Sequence, residues 1–258
     1  MAVVFVIAFS QLPSQAQPTT TLNPETITAF DEYARAVEAE IQLQIDGHKP
    51  FLYLDQHPRK RVKVRQGEIL VENFKEDIEI PDGLVHDWGG AMFVGGATAE
   101  QILQILQDYD RHQEIYPEVV DSRLLEQQGD VARGYLRLKK EKVLTVVLNT
   151  EHEARLTNVS DKRRYLRSYS TRISQVQDPD TPEEQELPVG EDSGFLWRLN
   201  AYWLIEEVED GVFVELLTLS LSRRPPFGLG WMINPFIKNM PRESLVDMLQ
   251  ATRLAVKQ

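Results

Sequence analysis

The run Leu84-Val85-His86-Asp87-Trp88-Gly89-Gly90-Ala91-Met92-Phe93-Val94, followed by Gly95-Gly96 and Thr98-Ala99-Glu100-Gln101, decides the fold. Its first eleven residues are apolar enough for a core strand, and the glycine pairs mark a bulge or bend. Thr98 with Gln101 makes a capping box, and Ile102, Leu103, Ile105, Leu106 and Tyr109 form one apolar stripe. A helix therefore follows the strand directly. A short second helix over residues 110–115 stops at Tyr116-Pro117, because the residue before proline avoids the helical region.

Strands follow in succession, near residues 122–127, 131–139, 143–156, 163–177, 196–208 and 212–223. Tyr165, Tyr169 and Ile173 share one face of the fourth, and Trp197, Leu199, Ala201, Trp203 and Ile205 alternate along the fifth. Between them, residues 178–192 hold seven acids and three prolines, the composition of an exposed, mobile hairpin loop. Asp210-Gly211 supplies a tight turn. Residues 223–235 read as an apolar loop stiffened by three prolines, folding over one end of the sheet. Pro241 then opens a final helix with Leu245, Met248, Leu249, Thr252 and Val256 on the side facing the sheet. The order describes an α+β helix-grip architecture: a curved antiparallel sheet of six to seven strands wrapped around a long C-terminal helix, with a cavity between them.

Upstream, Asn23-Pro24-Glu25 starts a helix, and Ile27, Phe30, Ala34, Val37, Ile41 and Ile45 keep helical spacing until Asp46-Gly47. Residues 51–54 and 68–71 are short strand candidates, and the basic stretch between them (59–65) alternates charge with valine as a solvated strand face does. Residues 1–16 combine the apolar run Ala2 to Phe9 with the small-residue site Ser14-Gln15-Ala16, as a signal peptide does. This places the protein in a secreted or periplasmic setting, with the cytoplasm as the alternative. Eight apolar residues cannot span a bilayer, which needs about 20. The expected division is residues 1–16 as signal peptide, 17–80 as an N-terminal extension of helix plus short strands, and 81–258 as the main domain.

Net charge is -12 over 258 residues, which repels a phosphate backbone and disfavours nucleic acid as a partner. The absence of cysteine excludes disulfides, thiolate nucleophiles and Cys-containing metal sites. The five histidines show no metal-ligand spacing, and no phosphate loop, dinucleotide fingerprint or nucleophile elbow occurs. No catalytic residue, metal or cofactor is assigned. His86 beside Asp87 is the best acid-base candidate, but adjacent strand residues point to opposite faces.

The segment from Trp88 through Asp108-Tyr109 and Tyr116-Pro117-Glu118-Val119, with six strands and a helix after it, resembles the START-like helix-grip (SRPBCC) superfamily. That group includes lipid-transfer domains and polyketide cyclase or dehydrase relatives. The resemblance covers residues 84–258 and implies a deep cavity that holds a hydrophobic small molecule of lipid, isoprenoid or quinone type. The aromatics Tyr165, Tyr169, Trp197, Trp203, Phe213 and Trp231, the polar groups Arg198 and Glu215, and the helical residues Leu245, Met248, Leu249 and Thr252 are the expected ligand contacts. Non-catalytic binding or transport is the function expected; a cyclase- or dehydratase-like enzyme and an interaction domain with a filled core are the alternatives.

Overall fold

A computed structural model describes residues 19–73, 78–141, 145–224 and 230–257, with the side chains of residues 230–239 outside that description. The proposed signal peptide, residues 1–16, also lies outside the described residues.

The chain opens with β1 (Thr20–Thr21), α1 (Pro24–Ile45), a 3₁₀ turn at Tyr53–Gln56, α2 (Pro58–Arg65), β2 (Leu70–Asn73) and β3 (Ile78–Ile80). The long strand β4 (Gly83–Gly95) leads into α3 (Ala99–Gln107), a 3₁₀ turn at Tyr109–Arg111 and α4 (His112–Ile115). Strands β5 (Val119–Gln128), β6 (Val131–Glu141), β7 (Thr145–Asn158) and β8 (Arg163–Gln177) follow. Two short strands, β9 (Gln185–Glu186) and β10 (Glu191–Asp192), precede β11 (Arg198–Val208), β12 (Gly211–Arg223) and the closing helix α5 (Gly230–Ala255). The large sheet runs β2-β4-β12-β11-β8-β7-β6-β5, with β3 also on β4 and β9 on β8, all antiparallel. Its seven long strands are the sheet anticipated from the sequence, and the arrangement is helix-grip α+β.

Both faces of the central strands are buried. On one face, Val94, Leu216, Trp203 and Leu166 pack with α3 and α5. On the other, Val85, Phe213, Leu219, Tyr202 and Tyr165 pack with Phe30, Ala34 and Ile41 of α1 and with Phe51, Leu52 and Leu54. Residues 24–65 thus form a second cover on the back of the sheet. α5 lies hard against β4: a Cβ on Gly90 would stand 2.6 Å from Leu249 Cδ1, and Leu249 is fully buried.

Several local expectations change. The basic stretch is the helix α2, begun by Pro58 at its first position. Only Val64 of its valines is buried, and its cations reach acids on neighbouring elements, Lys60 to Glu72 and Arg61 to Asp55 and Glu206. Residues 51–54 enter a 3₁₀ turn, not a strand. The glycine pair in β4 introduces no bulge, since Gly89 and Gly90 hold continuous register with Leu217 and Leu216. Its purpose at Gly90 is to admit the helix. The acidic segment 178–192 is pinned: Arg137 grips Glu184, Arg172 grips Glu186, β9 pairs with β8 and β10 with β1. The last helix begins at Gly230, eleven residues before Pro241. Residues 225–229 of the expected proline loop lie outside the described residues.

Candidate functional site

Between the sheet and α5 lies a cavity of about 250 Å³. Its walls are apolar, built from Leu136, Leu148, Leu166, Leu199 and Trp203 on the strands and Leu245 and Met248 on α5. Strand period fixes this lining, because Leu199, Ala201 and Trp203 alternate with Asn200, Tyr202 and Leu204, which turn to the extension. A wall of rings, Tyr109, His112 and Tyr116, closes one side, with centroids 4.8 and 5.1 Å apart. Tyr109 lies over Gly134 of β6, where any Cβ would stand 2.1 Å from its ring. Burial pushes the Tyr109 and Tyr116 hydroxyls up to about 12.

Three of the five histidines meet at this cavity, which their sequence spacing gave no sign of. His86, His112 and His152 are each at most 6% exposed. Their partners fix two of the tautomers. His112 Nε2 sits 3.2 Å from the Ile105 carbonyl, which can only accept. His152 Nε2 sits 3.0 Å from Thr150 Oγ1, whose own proton goes to Leu136 O. His86 Nε2 is 2.9 Å from Ser222 Oγ, which donates to Arg223 O. Nε2–H is the donor at His112 and at His152. Burial lowers His152 to about 4, reinforced by His112, and burial also lowers His112, so both rings are neutral at pH 7.

At the rim, Glu118 accepts from Lys140 and, at 2.9 Å, from Ser244 of α5, tying the helix to the start of β5. Lys139 pairs with Glu141 and Asp180. Among the described residues no group of three or more His, Cys, Asp or Glu is placed to hold a metal ion. None of the described helices is long and apolar enough to cross a membrane.

Of the anticipated contacts, Trp203, Leu245 and Met248 line the cavity. Leu249 packs behind it against Gly90, and Thr252 holds the Tyr116 hydroxyl at 3.1 Å, outside the lining. Tyr165, Tyr169, Trp197, Phe213, Arg198 and Glu215 are elsewhere. Tyr165, Trp197 and Phe213 belong to the core under α1, and Tyr169 packs against it. Tyr169 Oη reaches Glu38 on α1, Arg198 bonds the Trp197 carbonyl, and Glu215 accepts from the Tyr53 and Leu54 amides at 2.8 Å. The side chain of Trp231 lies outside the described residues.

The faces differ from the expected ones for a physical reason. Alternation divides a strand into two sides without naming the inner one, and here both sides are buried. A bulge adds to this: Glu151 pairs with Arg172 and His152 with Ser170, so Thr171 is extra and the parity of β8 flips. Ile173 consequently packs with Val146, Leu148 and Phe195, on the opposite side from Tyr165 and Tyr169. Trp197 and Trp203 part company because Trp197 precedes β11 and its Nε1 donates to Asp192 at 2.9 Å.

No family model and no curated protein matches the chain. Among solved structures, it is similar to a STAR-related lipid transfer protein of Xanthomonas axonopodis, at 17% identity over 74% of this chain and 99% of that one, with a TM-score of 0.48. It is also similar to the ZhuI aromatase/cyclase of a Streptomyces species, at 12% identity over 67% and 94% of the two chains and a TM-score of 0.47. A START superfamily protein of Mycobacterium smegmatis gives 15% identity over 67% and 98% and a TM-score of 0.44.

Proposed function

We propose that the protein binds a hydrophobic small molecule in the cavity between the sheet and α5, without acting on it chemically. The observation that supports this reading is the apolar-walled space of about 250 Å³ between sheet and helix. Water in such a space is poorly hydrogen-bonded, and apolar ligand area moved into it contributes about 25 cal/mol per Å². The space is slightly below the roughly 300–1,000 Å³ of drug-sized sites, so it suits a small molecule or the apolar portion of a longer one.

A cyclase-like activity needs a proton donor or acceptor in the cavity. Glu215 is on the far face under two amides, burial pushes the imidazoles of His152 and His112 down, and the Nε2 of His86 is engaged by Ser222. Binding is therefore the better supported reading. Native mass spectrometry of gently purified protein, with solvent extraction of bound molecules, tests it. A stoichiometric hydrophobic adduct is expected. Protein that carries no adduct and whose melting temperature no lipid, isoprenoid or quinone raises would overturn it.

A further inference from the structure

The cavity's polar atoms narrow the chemistry of its occupant. Ser220 on β12 faces the space, is 8% exposed, and its hydroxyl finds no hydrogen-bond partner among the described residues. It sits in register with His86 on β4 and Leu199 on β11, both of which also line the cavity. A hydroxyl that faces an apolar space with no protein partner is free to bond a ligand oxygen within reach.

Charge points the same way. Lys139 and Lys140, the two cations among the described lining residues, are each in ion pairs at the rim. With Nε2–H of His152 given to Thr150, its Nδ1 is left as a lone-pair acceptor, which repels an anion and suits a hydroxyl. Asp247, exposed at the rim, adds a negative charge, and the whole chain carries -12. A carboxylate or phosphate entering this space would be desolvated without a free cation among the described lining residues to receive it.

Building on the binding function proposed above, we propose that the ligand is an uncharged amphiphile whose hydroxyl or carbonyl oxygen is received by Ser220, and that fatty acids and phosphate esters are rejected. A carbonyl oxygen accepts the Ser220 proton; a hydroxyl can either accept it or donate to Oγ.

Calorimetric titration of the full chain with decanol, decanone, decanoate and decane, each delivered from cyclodextrin, tests this. Decanol and decanone should bind about fivefold to tenfold more tightly than decane, the value of one net hydrogen bond, and decanoate more weakly than either. Ser220→Ala should erase the preference over decane while leaving decane binding intact, and Ser220→Thr, which keeps the hydroxyl, should restore it. Melting curves of both variants establish that they fold. Equal affinity for decane and decanol, or decanoate binding as tightly as decanol, would overturn the assignment while leaving hydrophobic binding standing. Failure of all four probes, decane included, would overturn the binding reading and this inference with it.

Discussion

At Gly134 the backbone conformation is ordinary and the demand is steric, since a Cβ there would meet Cδ1, Cε1 and Cγ of Tyr109 between 2.1 and 2.6 Å. Gly134→Ala should cost about 1–3 kcal/mol of overpacking, read as a lower urea midpoint at unchanged slope. Combining it with Tyr109→Ala should recover part of that loss, because the two residues share one contact. His152 makes the second residue-level prediction. Its imidazole titrates near 6.5 when unfolded and near 4 when folded. Between those values the unfolded chain holds a proton that the folded chain refuses, so stability falls as pH drops through that window, by roughly 3 kcal/mol for this group. Urea unfolding at a series of pH values should show a shallower acid loss in His152→Gln than in the native chain. Parallel curves would remove His152 as the cause.

Among the elements, the extension and the sheet are joined through groups that cannot be exposed singly. Glu215 on β12 caps the amides of Tyr53 and Leu54, while Glu38 on α1 takes the hydroxyls of both Tyr169 and Tyr202. Glu215→Ala leaves two amides unanswered and should cost about 2–4 kcal/mol in urea unfolding, with ligand affinity unchanged because the carboxylate is on the face away from α5. Loss of affinity at unaltered stability would place it in the site instead. This is also where the sequence was legible and where it was not. The capping box at Thr98, the apolar stripes and the turn at Asp210-Gly211 have local causes, and the elements they delimit form as read. The side of each strand that faces the cavity has a non-local cause, the competition of α1 and α5 for the two faces of one sheet. No alternation in Tyr165 or Phe213 could reveal it. The histidine cluster was hidden for a related reason, since strands β4 and β7 and helix α4 bring together residues 86, 112 and 152 only through the register of the intervening strands.

For the molecule as a whole, two covers on one sheet separate stability from binding. The α1 side packs Phe30, Phe51 and Phe213, all buried to 1% or less, and keeps a space of about 200 Å³ beside Ile41, Tyr53 and Glu215, whereas the α5 side keeps about 250 Å³ open between apolar walls. An empty apolar cavity forgoes contacts, so the unliganded fold is less stable than its sequence could make it. Ala154, at 3% exposure on the cavity wall of β7, is the position to fill. Ala154→Phe adds a ring into the open volume without touching the α1 face. The variant should melt at or above the native temperature when free of ligand. It should also lose the ligand-induced rise, which at a hundredfold excess over Kd is about 2.7 kcal/mol, or roughly 5–10 °C for a chain of this size. Scanning calorimetry with and without decanol measures both terms in one experiment. A variant that still melts higher with decanol, at the native increment, would mean that the ligand sits outside the sheet–α5 cavity, and the location of the site would have to be abandoned.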